Sequence, residues 1–114
     1  MTVSYFVRYE IAPANEKAFL EYYRTRHVPI LARWPGIRRV VLHTAAAGND
    51  AFPVERGGSV LLAQLEFASQ ADLQAALNSP QRAEARRDFE KFPPYEGTVT
   101  HQAMTSDEAW RRDA

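Results

Sequence analysis

The sequence predicts an α+β fold: a four-stranded antiparallel sheet with its helices on one face, in the order βαββαβ. Three observations carry this. Val3, Tyr5, Val7, Tyr9 and Ile11 alternate with Ser4, Arg8 and Glu10, the period-two pattern of a half-buried strand. Phe19, Leu20, Tyr23, His27, Ile30, Leu31 and Trp34 recur at three- and four-residue intervals, which is one face of a helix. Two further strand-like runs, IRRVVLHT and SVLLAQLEF, come before a second capped helical stretch and a last strand.

The first strand spans residues 3–11. Pro13 suits the first turn of the helix that follows, and Glu16 favours the positive end of its dipole. That helix runs to about Val28 with a short continuation to Arg33. Pro29 has no backbone N–H and its ring crowds the preceding turn, so the Thr25 carbonyl loses its helical partner. The helix should therefore kink or end close to His27. Pro35-Gly36 stops it.

The second strand covers residues 37–44 and the third 59–67. Between them residues 45–58 form a polar connector, long for neighbouring strands and of the kind that serves as a lid or binding loop. Ser69 with Asp72 resembles a capping box, opening a helix whose buried stripe is Leu73, Ala76 and Leu77. Asn78 ends it, and Ser79-Pro80 restarts a helix that continues through Phe89. The fourth strand covers residues 97–104. No repeat or linker is present, so the reading is one domain over residues 1–104 and a C-terminal tail over 105–114.

This order is the ferredoxin-like split unit. Its helices cover one sheet face only. Apolar residues reach the other face in places, as with Phe6 beside Tyr5 and the run Val40-Val41-Leu42, so a homodimer packed sheet against sheet is the natural solution. Trp110 in the tail could reach a partner chain.

Composition narrows the function class. Among 114 residues, 14 Lys and Arg balance 14 Asp and Glu, so no net charge draws the chain to nucleic acid or to an acidic membrane. Cysteine is absent, which excludes thiolate metal sites and disulfides and makes a cytoplasmic location the simplest reading. The start, MTVSYFVRYEI, has no signal-peptide pattern, and no apolar run is long enough to span a membrane. There is no Gly-rich phosphate loop and no nucleophile elbow, so nucleotide and acyl-transfer chemistry have no support.

Every other member of the helical stripe is apolar or aromatic, so His27 should point inward. The aromatic-rich helix followed by His-x-Pro and then Leu-x-x-x-Pro-Gly-Ile, here Phe19, Tyr22 or Tyr23, His27, Pro29, Leu31, Pro35, Gly36 and Ile37, resembles the EthD-like group of dimeric α+β barrel proteins. The resemblance implies that fold, a homodimer and a small-molecule role. Relatives in the wider superfamily include lactone isomerases, dehydratases, cofactor-free monooxygenases and haem-handling proteins. The 45–58 connector and the charged tail depart from a minimal member.

On that resemblance His27 is the candidate catalytic residue, a general base or acid whose burial would favour the neutral imidazole. The alternative is a core histidine satisfied by a backbone carbonyl. Tyr5, Tyr9, Tyr23, Trp34, His43 and His101 are candidate substrate-binding residues. The two histidines lie on the edge strands of such a sheet, and either could face His27 according to register. The three histidines fit no short metal-ligand spacing and no carboxylate partner stands out, so no metal is expected. No cofactor is expected either. Arg8 is of interest if it faces inward, while Arg82, Arg86 and Arg87 with Glu84, Asp88 and Glu90 read as a mixed-charge helix surface. The expected function is proton transfer of isomerase or dehydratase type on a small apolar or aromatic metabolite, such as a lactone, phenolic or polyketide-like compound. The alternatives are a cofactor-free monooxygenase and a non-catalytic dimeric binding module.

Overall fold

Local sequence and backbone geometry agree on where the elements lie. A computed structural model describes residues 1–48, 51 and 59–113. In chain order it contains β1 (Thr2–Pro13), α1 (Glu16–Tyr22), a π-helical turn (Tyr23–His27), α2 (Val28–Leu31), β2 (Ile37–His43), β3 (Leu61–Phe67), α3 (Gln70–Leu77), α4 (Pro80–Asp88), a 3₁₀ turn (Phe89–Lys91) and β4 (Tyr95–Ser106). Most of the 45–58 connector lies outside the described residues. The strands form one sheet in the order β2-β3-β1-β4, and every pairing is antiparallel. This is the expected ferredoxin-like arrangement, with β1 and β3 central and β2 and β4 at the edges. Among the described residues, no helix is long and apolar enough to cross a membrane.

Side-chain oxygens start three of the helices. Asn15 accepts from the Ala18 N–H at 3.0 Å, Ser69 from Asp72 at 3.1 Å and Ser79 from Arg82 at 3.2 Å. The Asn15 cap moves the start of α1 beyond Pro13, which instead ends β1 opposite Tyr95. At the other end β4 continues to Ser106, because Thr2 is available as its partner across the ladder.

The core lies between the helices and one sheet face. From β1 it receives Val3, Tyr5, Val7, Tyr9 and Ile11, and from β3 Leu61, Ala63, Leu65 and Phe67. Phe19, Tyr23, Leu31, Trp34, Leu73, Ala76, Ala85 and Phe92 close it from the helical side. The strand and helix periodicities of the sequence thus meet in one layer, burying apolar area worth about 25 cal/mol per Å².

Two departures from regular geometry place the chemistry. The first is the π turn, in which the Val28 N–H bonds the Tyr23 carbonyl five residues back. Pro29 follows directly and has no N–H to continue the α pattern, so the expected kink takes the form of an inserted residue. The second is a bulge in β2: Ile37 faces Phe67, but Arg39 faces the adjacent Glu66. The extra residue exchanges the two sides of the strand, so Val40 and Leu42 face the core opposite Leu65 and Ala63.

Gly97 permits the close β1–β4 crossing. Its φ is +124°, and an added Cβ would stand 2.5 Å from the Glu10 carbonyl oxygen and 2.7 Å from the Ile11 Cα. Both obstacles are backbone and cannot swing away. Gly97→Ala is therefore expected to destabilise the fold by about 1–3 kcal/mol. Urea denaturation of the two proteins checks this, and an unchanged midpoint would contradict the packing described.

Candidate active site

The π turn presents Tyr23 and His27 to the interior. His27 is 2% exposed, and its ring lies against three aromatic neighbours: Tyr23 at 4.8 Å between centroids, Phe92 at 4.8 Å edge-on and Phe89 stacked at 5.5 Å. A bare imidazole in such a setting would leave its N–H groups without water. The structure supplies a partner from α4: His27 Nδ1 lies 2.9 Å from Asp88 Oδ2. The other carboxylate oxygen, Asp88 Oδ1, accepts from the Tyr22 hydroxyl at 2.9 Å. Asp88 itself is 7% exposed. From sequence, Asp88 belongs to a mixed-charge helix surface and a core His27 takes a backbone carbonyl as its partner; Asp88 instead closes α4 on its buried side and is itself that partner.

An ionised carboxylate only accepts, so Nδ1 carries the hydrogen and Nε2 the lone pair. Burial pulls His27 below the ordinary histidine value, and the Asp88 bond opposes this only in part. The imidazole is thus neutral near pH 7, oriented by Asp88, and free at Nε2, which makes no hydrogen bond within the described residues.

His27 lines a recess of about 350 Å³, counted to its open mouth, between the sheet and the α2 and α4 helices. The space enclosed beneath that mouth is about 30 Å³, room for a water or two, so even a single ring enters only by displacing a wall side chain. Tyr5, Tyr9, Tyr23, Trp34 and His101, all substrate-binding candidates from the sequence, line the recess. His101 is on the inner face because it pairs with Val7, and its ring lies 5.6 Å from that of Tyr5. His43 is the exception. The β2 bulge turns it to the outer face opposite Leu62, where its Nε2 lies 3.1 Å from Gln64 Oε1. It does not approach His27. Arg8 is also on the outer face, bonded to the Ser59 hydroxyl at 3.1 Å.

Among the described residues the Trp34 indole N–H is buried without a hydrogen-bond partner. The Tyr9 hydroxyl is buried too, with the Tyr23 hydroxyl as its neighbour and no partner of regular hydrogen-bond geometry. Burial, with the Tyr23 hydroxyl beside it, pushes Tyr9 well above the ordinary tyrosine value, so it remains a protonated donor. The residues missed at the sequence level are Asp88, Tyr22, Phe89, Arg82 and Arg86. A signal for them existed: Ala85, Asp88, Phe89 and Phe92 share one helical stripe, so Asp88 occupies a position flanked by apolar residues. A wider polar depression lies between the outer sheet face and the tail, where Arg39 pairs with Glu66 at 2.8 Å and Arg111 with Glu108. Among the described residues, no group of three or more His, Cys, Asp or Glu side chains could hold a metal.

Residues 12–93 match the family model of the EthD domain. Over 80 residues the chain is 34% identical to an uncharacterized 11.0 kDa protein from the thcB–thcC intergenic region of Rhodococcus erythropolis, an alignment covering 70% of this chain and 74% of that protein. Among solved structures, an EthD family protein from Bacillus halodurans superposes with a TM-score of 0.76 at 21% identity, covering 94% of this chain and all of that one. A monooxygenase from Streptomyces coelicolor in complex with nanaomycin D gives 0.66 at 16% identity, covering 98% and 92%. A cofactor-independent oxygenase from Streptomyces nogalater gives 0.63 at 16% identity, covering 97% and 98%. At these identities the structural likeness shows the shared fold.

Neutral burial of His27 has a measurable consequence. The unfolded chain takes up the His27 proton near the ordinary value of about 6.5, whereas the folded chain resists protonation until lower pH. Between those values the unfolded state binds more protons, so stability is full above about pH 6.5 and falls as pH drops below it. Urea midpoints measured from pH 7 to about pH 5 are expected to decline, and His27→Gln should flatten that decline. An equal slope in the variant would show that His27 is not the group responsible.

Proposed function

The chain belongs to the EthD domain family, and from that premise we propose that it transforms a small molecule in the recess beside His27, with His27 as the general base. The observation that carries this reading is the buried Asp88–His27 bond of 2.9 Å, which leaves Nε2 as the basic position on the recess wall. A neutral imidazole held in that tautomer accepts a proton from a carbon next to a carbonyl. The Asp88 carboxylate then stabilises the imidazolium that forms. In this reading the Tyr9 hydroxyl and the Trp34 N–H donate to the developing enolate oxygen. Proton transfer of isomerase or dehydratase type on a lactone, phenolic or polyketide-like compound fits these parts and requires no cofactor.

A second reading draws on the likeness to oxygenases of the same fold. In it His27 deprotonates a phenolic substrate and the resulting anion reacts with dioxygen. The same base serves both, so oxygen uptake during turnover separates them.

We propose further that the working unit is a homodimer formed through the outer sheet face. There Phe6, Leu62 and Met104 border an apolar depression, and Met104 is 47% exposed. Light scattering should give twice the chain mass, and Met104→Glu should shift it towards one chain. A monomeric wild type would overturn this part.

For the chemistry, a panel of lactones, phenols, quinones, short polyketides, fatty acids and haem is screened by thermal shift, and the hits are assayed for turnover. His27→Ala is expected to lower kcat by about 10²–10⁴-fold, and Asp88→Asn by about 10²-fold or more through loss of the tautomer, with the fold retained in both. Turnover by His27→Ala at the wild-type rate would remove His27 from the mechanism.

A further inference from the structure

The mouth of the recess has a charge that proton abstraction by His27 does not use. Arg82 and Arg86 both line it from α4, one helical turn apart. None of the residues lining the recess is an Asp or Glu. Of the carboxylates nearest in sequence, Glu84 pairs with Arg33 and Asp88 with His27 and Tyr22, while Glu90, four residues beyond Arg86, makes no ion pair with it among the described residues. Within the described residues neither arginine has a carboxylate partner, and Arg82 reaches only the Leu77 carbonyl, at 3.4 Å. Two guanidinium groups one helical turn apart repel each other weakly in water, and an anion received between them turns that repulsion into attraction.

The opposite wall is suited to the rest of a guest. Tyr5 and Trp34 lie 6.5 Å apart between ring centroids, and Phe89 closes the side towards His27. Arg82, Arg86, Phe89 and His101 keep part of their surface in solvent, so these lining side chains can swing for a larger body.

Building on the reading of His27 as the base, we infer that the recess takes a planar, largely aromatic compound carrying one carboxylate, which Arg82 and Arg86 receive at the mouth. The body then passes between Tyr5, Trp34 and Phe89 towards Nε2 of His27. The forked donors of arginine match the two oxygens of a carboxylate, and the rings supply the apolar contact. His101 at the rim is consistent with this: partial burial, then the charges of Arg82 and Arg86, hold it below the ordinary histidine value. It therefore stays neutral and adds no third charge.

The test uses matched acid and alcohol pairs: benzoate with benzyl alcohol, naphthoate with naphthalenemethanol, and anthraquinone carboxylate with its hydroxymethyl counterpart. Affinities are measured by calorimetry on the wild type and on Arg82→Gln, Arg86→Gln and the double variant. Arg87→Gln, on the exposed side of the same helix, is the charge control. At least one acid is expected to bind about tenfold or more tightly than its alcohol. The double variant should erase that preference while keeping the alcohol's affinity, and Arg87→Gln should leave both unchanged. Equal binding of acid and alcohol in all four proteins would overturn the carboxylate inference and leave the recess and His27 in place. Failure of every pair to bind would overturn both readings together.

Discussion

A buried carboxylate needs partners, and the one at Asp88 organises this protein. It is 7% exposed at the end of α4, beside the His27 ring that Phe89 and Phe92 pack against, and an unpaired charge there would be costly. Two groups from the first helical segment satisfy it, the Tyr22 hydroxyl and the His27 ring. These residues are five apart in sequence, and the π turn between them sets the angle at which both reach α4. One interaction thus joins the two helical segments, holds the imidazole tautomer and leaves Nε2 without a hydrogen bond among the described residues. Its removal would cost about 1–3 kcal/mol for the groups left unpaired, apart from any effect on chemistry.

The sheet contributes through register. Directly paired residues in an antiparallel ladder share a face, so His101 inherits the inward side from Val7, and His43 inherits the outward side from Leu62. A single inserted residue near Arg38 decides the second case. Without it β2 would keep the parity of Ile37, and His43 would enter the core in place of Leu42. The recess consequently has two histidines with distinct settings. His27 is sealed and partnered by a carboxylate, and His101 stands at the rim beside two arginines.

Family membership and geometry meet at the same place. The aromatic stripe, the His-x-Pro step and the Pro-Gly stop that resemble EthD-like proteins are the features that build the π turn and end the helical segment. Gly36, with φ of +76°, completes that stop before β2. The surrounding charges divide by side: pairs such as Arg33–Glu84 and Arg39–Glu66 are closed on the surface, whereas Arg82 and Arg86 are left facing the recess.

Read alone, the sequence determined the elements, their order and the inward direction of His27. Each of these depends on information held within a few residues: period two in β1, period 3.6 in α1, the Ser69 and Ser79 caps and the missing N–H of Pro29. It likewise pointed to Tyr5, Tyr9, Tyr23 and Trp34, because large rings on the core-facing side of a strand or helix line whatever recess that side leaves. Only the tertiary structure decided that Asp88 partners His27, 61 residues away, that His43 leaves the site while His101 enters it, and that Arg82 and Arg86 face the recess. Those outcomes depend on a bulge, a strand register and the approach of α4 to the π turn. All three are contacts between distant parts of the chain, set by how whole elements pack rather than by the preference of any one segment.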